Sequence, residues 1–489
     1  MKLPKIHLNR KPTYIKLFER VDFFELFRKI EREFETCFIL ESLGEQGSYS
    51  RYSIIGFDPK HIISAKETNL YFDGKKYEVE NPYFALREII PSDTISKKYA
   101  GGAVGYLSYE AVNFFEKNLN VKIHPDFDQF MFGVYLDGLI LDKITGELFY
   151  FFYDQNRSEL IKNLVLSRHS GDESSRTPES SKGYDSGQAR MTVRTSQNDT
   201  IDPGQARMTN TEVEFLGDTL SKEEHAEAVK KVIEEIKKGN TFQCEVGFKS
   251  KFKITGNTLL IYEKLRQVNP SPFMYYLKFG SRKIIGASPE LLLSLRDGDM
   301  ETFPLAGTIK RGKNAEEDQI LARKLLNNPK EIAEHNMLVD LHRNDLGRVS
   351  KFGTVKVRSL MDIKKYSHVQ HISSEITGVI KDDEDMFSAV AANFPMGTAT
   401  GAPKVESMKI IDRNEKEARG PYGGGVGHFG FNGDCTFALT LRSLFISGED
   451  AYAQTSGGIV YDSEVDKEYQ EIVNKLAAMK EVLLDESSS

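Results

Sequence analysis

The chain has 489 residues and a mass of 55.4 kDa, with 39% hydrophobic and 28% charged residues, which is long and apolar enough for a large folded core. A short peptide, a disulfide knot and bulk disorder are excluded on those figures. Lys and Arg total 65 against 72 Asp and Glu, a net charge of -7, so no cationic surplus is available to neutralise phosphate backbones and nucleic acid is not an expected partner.

The N-terminal MKLPKIHLNRKPTYIKLF lacks an apolar signal core. No run anywhere approaches the roughly 18 apolar residues of a spanning helix, so no membrane segment is expected. Cys37, Cys244 and Cys435 lie too far apart for a disulfide framework or a zinc motif, which suits a reducing, cytoplasmic setting. Residues 1–166 read as rich in strands: FGVYLDGLIL at 132–141, a turn from Lys143 to Gly146 and LFYFFY at 148–153 predict a hairpin. Residues 167–212 contain only Val193 and Ile201 of the Leu, Ile, Val and Phe class, and DSGQARMT at 185–192 returns as DPGQARMT at 202–209. Such a segment cannot bury enough surface to offset its ordering entropy, so it is expected to be a disordered insertion between folded parts 1–166 and 213–489.

After the insertion, Ser221 with Glu224 forms a capping box, Ala226, Val229, Val232, Ile233 and Ile236 make an apolar stripe, and Gly239 ends the predicted helix. TFQCEVGFKSKF at 241–252 predicts a strand, helical patterns occupy about 316–345 and 464–484, and glycine-punctuated strands fill 421–460. The mixture predicts an α+β fold of large antiparallel sheets with outer helices.

Several residues carry chemistry. Glu331 with Glu334, and Glu468 with Glu471, are i, i+3 pairs that place both carboxylates of each pair on one helix face, a donor set for a hard cation such as Mg²⁺. The competing reading is a solvated face on which Glu471 pairs with Lys475. GTATGAPK, from Gly397 to Lys404, has the glycines, hydroxyls and lysine of an anion-binding loop, although Pro403 removes an amide that a Walker loop needs; a structural turn is the alternative. The clusters YGGGVGHFG at 422–430 and QTSGGIV at 454–460 lack the strand and helix context of a dinucleotide site, so they are read as places of close backbone approach. His371, in KYSHVQHIS, is a candidate acid or base, or a core histidine.

LVDLHRNDLGRV at 338–349, YSHVQHIS at 366–373 and GTATGAPK at 397–404, in this order, resemble the signature stretches of the chorismate-utilising enzymes, and the resemblance extends over about residues 36–480 apart from the insertion. It implies two packed antiparallel sheets with outer helices, and a cleft for chorismate and Mg²⁺ in which Glu331, Glu334, Glu468 and Glu471 are the metal-site carboxylates. It further implies that Tyr422, Arg442 and Gly458, beside Gly457, hold the enolpyruvyl carboxylate, where a planar Arg fork suits bidentate recognition. Thr400, Gly401, Lys404, Ala306, Gly307 and Thr308 would line the same cleft. Glu290, in GASPE, matches the family's general acid, and His371 and Thr398 belong to the catalytic set. His342 stands where relatives carry an apolar or small residue.

Two positions separate the branches of that family. Gln243 replaces the lysine with which water-using relatives activate water, and a neutral amide cannot act as that base. Ala306 replaces the nucleophilic lysine of the aminodeoxychorismate-forming branch. The resemblance therefore points to an enzyme that forms anthranilate and pyruvate from chorismate and ammonia, the aminodeoxychorismate-forming reaction being the alternative and a catalytically silent tryptophan-binding regulator the contrasting class. FILESLGEQGSYSRYSIIG at 38–56 and NPSPFMYY at 269–276 resemble the walls of the family's feedback pocket for tryptophan, with Leu40, Glu41, Ser42, Pro270, Ser271, Phe273 and Met274 as its residues; ordinary core and turn structure is the alternative. No cysteine sits in a glycine-flanked nucleophile elbow, so ammonia is expected from a separate class I glutamine amidotransferase subunit in a hetero-oligomer.

Overall fold

The structure is a computed structural model that describes residues 2–9, 11–19, 21–43, 51–96, 98–166, 210–366 and 369–484. Nearly all of the insertion predicted at 167–212, including its near-repeat, lies outside the described residues. Its last two residues do not belong to it. Thr211 and Glu212 open the strand Thr211–Asp218, which pairs antiparallel with Gln243–Gly256.

Two 12-stranded antiparallel sheets form the body. The first runs in space from Thr13–Glu19 through Glu147–Phe152, Asp137–Asp142, Tyr52–Phe57, Thr36–Glu41, Phe273–Phe279, Arg282–Ser288, Ser443–Ser447, Asp450–Ile459 and Gln243–Gly256 to Thr211–Asp218, with the short Gly401–Ala402 strand also on Gln243–Gly256. The second runs from Leu305–Lys310 through Val369–Val379, Asp299–Thr302, Leu291–Arg296, Cys435–Leu439, Gly425–Gly430, Gly102–Leu107, Phe130–Tyr135, His61–Lys66 and Asn69–Phe72 to Lys75–Glu78, with Lys356–Lys365 also on Val369–Val379. The parts before and after the insertion share both sheets rather than folding apart: Thr36–Glu41 pairs with Phe273–Phe279, and Gly102–Leu107 with Gly425–Gly430.

The run 132–141, read as one strand, is broken at Leu136. Phe130–Tyr135 belongs to the second sheet and Asp137–Asp142 to the first, where it makes the expected hairpin with Glu147–Phe152 through a left-handed Gly146 at φ +72°. The chain changes sheets in the same way at two other places. Pro289 and Glu290 join Arg282–Ser288 to Leu291–Arg296, and Thr440 to Arg442 join Cys435–Leu439 to Ser443–Ser447. These crossings are bonded to each other, Leu439 N donating to Glu290 O at 3.1 Å and Ala287 N to Arg442 O at 3.2 Å. Between the sheets lies an aromatic core to which Phe38, Tyr275 and Phe445 come from one side and Tyr106, Tyr135 and Val426 from the other.

The helix Lys222–Lys237 carries the predicted Ser221 and Glu224 capping box, and Gly239 follows it at φ +80°. The pattern at 316–345 resolves into two helices, Ala315–Leu326 and Pro329–Val349, because Asn328 caps the second and Pro329 sits in its first turn, where a missing amide is tolerated. Pro329–Val349 packs on the edge strands of the second sheet, and Val465–Leu484 packs on Asp450–Ile459 of the first, burying Ile472, Leu476 and Met479. His342 is buried with Nδ1 2.9 Å from Thr302 Oγ1, so an imidazole fills a place that the resemblance gave to a smaller group. All three cysteines are buried and free, and among the described residues no helix is long and apolar enough to cross a membrane.

Candidate functional site

The two bonded crossings place Glu290 and Arg442 side by side in the gap between the sheets. Glu290 is 3% exposed, and burial pushes its carboxyl up to about 8, with Thr398 and the Leu305 amide opposing and Glu245 adding to the rise. Leu305 N donates to Glu290 Oε1 at 3.3 Å, whereas the Thr398 hydroxyl faces the carboxyl without a hydrogen bond of ordinary geometry. A carboxyl in this setting keeps its proton at neutral pH. Burial lowers the Arg442 pKa, Tyr366 and Glu290 oppose, and its guanidinium has no hydrogen bond or ion pair among the described residues.

His371 enters from Val369–Val379, opposite Thr308 on the neighbouring strand. Its Nδ1 lies 3.0 Å from Gly307 O and 3.1 Å from Thr308 Oγ1. A carbonyl can only accept, so Nδ1 carries the proton and the unpartnered, buried Nε2 holds a lone pair. Burial, then Arg442, lower its pKa to about 4, which keeps the imidazole neutral and makes it a base rather than a donor. Gly307 is required here: it is at φ +62°, and a Cβ would lie 2.8 Å from Glu331 Oε2. Ala306, at the bulge in the same strand, presents only a methyl group.

The opposite wall is the strand Gln243–Gly256. Gln243 Nε2 donates to Glu334 Oε1 at 3.0 Å, which fixes the amide orientation and leaves the buried Oε1 without a partner. Glu245 pairs across the ladder with Gly458, where a Cβ would collide with Gln243 Nε2 at 2.4 Å and Glu245 Oε1 at 2.8 Å. Ser456 Oγ donates to Glu245 Oε2 at 2.7 Å and lies 2.9 Å from the Tyr422 hydroxyl. The sequence reading missed Glu245 and Ser456. A signal for Glu245 was present, since it is a charged residue inside the Gln243–Ser250 run, which is buried on both faces of the strand.

The four predicted metal-site carboxylates approach from two helices. Burial, with Glu245, Glu331 and Glu471 adding and Lys330 opposing, pushes Glu334 up to about 7. Burial also raises Glu331 and Glu468, Glu471 adding in each case. Glu468 lies beneath Gly457, and Glu471 takes the competing role named above, pairing with Lys475 at 2.7 Å. Among the described residues no three acid, imidazole or thiol groups converge closely enough to enclose an ion. The donors are all hard oxygens, the ligand type that Mg²⁺ takes.

The GTATGAPK segment makes contacts of the kind the structural-turn alternative describes. Lys404 Nζ is bound to Asp345 Oδ2 at 2.6 Å. Thr400 Oγ1 donates to Met396 O, and its carbonyl takes Glu245 N at 2.8 Å. Gly401, at φ +127°, pairs with Cys244 in the ladder. The segment thus supports the Gln243 and Glu245 wall. The Thr400 hydroxyl is buried and must find a partner, whereas the half-buried Lys404 is held by its ion pair with Asp345.

The ILES and NPSPFM segments meet, in adjacent strands, around a separate cavity of about 180 Å³ lined by Leu40, Ser42, Phe273 and Met274. One expectation needs correction. Pro270 and Ser271 do not line it; the Ser271 carbonyl takes Leu43 N at 3.0 Å. Glu41 lines it, but its carboxylate is held by Arg266 at 2.7 and 3.1 Å and by the Tyr262 hydroxyl at 2.8 Å. Arg296, His428 and Asp434 complete the wall from the second sheet, and nothing local in the sequence announces them.

A family model described as chorismate binding enzyme matches residues 35–481. The chain is 51% identical over 485 residues to the anthranilate synthase component 1 of Leptospira biflexa, covering 98% of both proteins. It is 34% identical to the aminodeoxychorismate synthase component 1 of Bacillus subtilis, covering 97% of both. The crystal structure of anthranilate synthase component I from Streptococcus pneumoniae TIGR4 superposes with a TM-score of 0.73 at 28% identity, over 89% of this chain and 93% of that one.

The buried acid has a measurable thermodynamic consequence. With a folded pKa of about 8, above the ordinary glutamate value, Glu290 contributes stability that is complete in acid and is lost as pH rises through about 8. Glu290→Gln has no charge to bury. Its melting temperature is expected to exceed that of the wild type in alkaline buffer and to lose that advantage in acid, and a difference independent of pH would contradict the placement.

Proposed function

The chain belongs to the chorismate-binding enzyme family, and from that premise we propose that it aminates chorismate with ammonia and eliminates pyruvate, forming anthranilate as the large subunit of an anthranilate synthase. The observation that carries this reading over the water-using and aminodeoxychorismate-forming branches is the pair Gln243 and Ala306, which leaves the site with neither a lysine base for water nor a lysine nucleophile. The higher identity to the Leptospira protein than to the Bacillus one supports the same choice.

Each group has a task on this reading. The Arg442 guanidinium, the Tyr422 hydroxyl and the Gly458 amide take the enolpyruvyl carboxylate of chorismate. Gln243 Oε1, lacking a partner, accepts an N–H of the incoming ammonia and orients its lone pair toward C2. Glu290 gives its proton to the departing C4 hydroxyl, which leaves as water. The lone pair of His371 Nε2 then takes the C2 proton as the C3–O bond breaks, that proton passes to the methylene carbon of the departing enolate to give pyruvate, and Gly307 O holds the imidazole in the tautomer that allows it. Mg²⁺ held by Glu331, Glu334, Glu468 and Glu471 would supply positive charge for the ring carboxylate. Ammonia would reach the site from a glutaminase subunit, and tryptophan would occupy the cavity beside Ser42 and Met274 as a feedback inhibitor.

Chromatography of the products from chorismate, Mg²⁺ and saturating ammonium tests the assignment. Anthranilate and pyruvate in equal amounts are expected, and Glu290→Gln should lower kcat by about 10²–10⁴-fold, the usual worth of a positioned proton donor. A dominant aminodeoxychorismate or isochorismate peak would overturn it. For the metal, Glu468→Gln removes one hard ligand while the fold survives, so the Mg²⁺ concentration for half-maximal rate should rise by about tenfold or more. An unchanged Mg²⁺ requirement argues against that role. For regulation, Ser42→Ala should weaken tryptophan inhibition with little change in turnover, and calorimetry that detects no tryptophan binding to the wild type would remove the regulatory proposal.

A further inference from the structure

Glu245 is a carboxyl at 7% exposure in a cleft whose proposed substrate is anionic, and no step above uses it. Its hydrogen bonds define a direction. Ser456 has one hydroxyl proton and gives it to Glu245 Oε2 at 2.7 Å. The Tyr422 hydroxyl, 2.9 Å from the same Ser456 oxygen, must then be the donor in that contact. With an ionised Glu245 the relay therefore runs from Tyr422 to Ser456 to Glu245 and turns the lone pairs of Tyr422 toward the cleft. That polarity opposes an anionic oxygen. Rigid neighbours enforce the geometry, since Glu245 is fixed by its ladder partner Gly458 and its carbonyl by Arg419 Nη2 at 2.9 Å.

We infer that Glu245 is a positioning residue that, through Ser456, sets which way the Tyr422 hydroxyl proton points and so how tightly the site holds a substrate carboxylate. The inference rests on chorismate being the substrate. When Glu245 carries a proton the relay reverses: Glu245 donates to Ser456, Ser456 to Tyr422 and Tyr422 to the carboxylate. The anion and one solvent proton, which ends on Glu245, are taken up together. The charged and titratable groups around Glu245 are Lys475 and Glu471 from Val465–Leu484, Glu334 from Pro329–Val349, Glu290 and Arg419. Burial favours the protonated form, Lys475 and Ser456 oppose it, and Glu471 assists.

The test is the KM for chorismate as a function of pH at saturating Mg²⁺ and free ammonia. In the wild type KM should rise with pH as Glu245 gives up its proton. Glu245→Gln cannot ionise and its N–H can donate to Ser456, so the ratio of wild-type to variant KM should grow several-fold as pH rises, whatever the other cleft carboxyls contribute to both proteins. A residue that only supported packing would instead raise KM at every pH. Ser456→Ala severs the same relay, frees Tyr422 to donate and should reproduce the same pH-dependent ratio, which keeps the test decisive if Glu245→Gln does not fold. Product formation with parallel KM profiles in wild type and variants overturns the relay alone. A wild type that forms no anthranilate overturns the substrate assignment and the relay with it.

Discussion

Arg419 is 2% exposed and its guanidinium is fully engaged. Nε and Nη2 grip the two oxygens of Glu415 at 2.8 and 2.6 Å, Nη1 donates to Ala399 O at 2.6 Å, Nη2 donates to Glu245 O at 2.9 Å, and the guanidinium lies over the rings of Tyr109 and Tyr422. Glu415 in turn takes Gly247 N and Gln454 Nε2 at 3.1 Å each. One buried ion pair thus fastens the GTATGAPK segment, the Gln243–Gly256 strand and the turn carrying Tyr422. A buried pair gains little net stability once its desolvation is counted, but a lone buried charge costs about 3–5 kcal/mol. What the pair enforces is geometry: the three segments cannot separate without stranding a charge.

That constraint explains why polar residues crowd a place where two sheets would otherwise close on apolar side chains. Glu290, Glu245, His371 and Gln243 are all buried, and each keeps a polar atom partnerless or a carboxyl raised in pKa. Burying such groups is costly, and the cost persists only where surrounding structure over-determines their positions. The rigid supports are the two bonded sheet crossings, the Arg419 and Glu415 pair, and the Lys404 and Asp345 pair that ties the loop to the Pro329–Val349 helix. A site held in this way presents a proton on Glu290 and a lone pair on His371 before any ligand arrives, which is the preorganisation that acid and base chemistry needs.

Periodicity and punctuation were sufficient for the elements. The Ser221 cap, the Gly146 turn and the alternating strands could be read because each depends on residues within a few positions of one another. The resemblance carried by LVDLHRNDLGRV, YSHVQHIS and GTATGAPK likewise depends on local order, and it led to Glu290, His371, Gln243 and the Glu pairs. Where local pattern was silent, a distant partner had intervened. Lys404 faces Asp345, 59 positions away, and Glu41 faces Arg266, 225 positions away. The run 132–141 is broken because its two halves pair with strands of different sheets, and the parts before and after the insertion complete both sheets together.

The sequence by itself therefore determined the class of fold and the family and pointed to the candidate site residues, since those follow from short-range pattern and from the identity of single side chains. Tertiary structure alone decided the states of those groups. The proton on Glu290, the tautomer of His371 and the orientation of the Gln243 amide depend on burial and on partners such as Gly307 O and Glu334, brought in by strands and helices remote in the chain. Glu245 shows the division within one residue. Its identity was legible as a charge in an apolar run, but its direction was not, because a hydrogen-bond relay through Ser456 to Tyr422 exists only once two strands and a turn have been packed together.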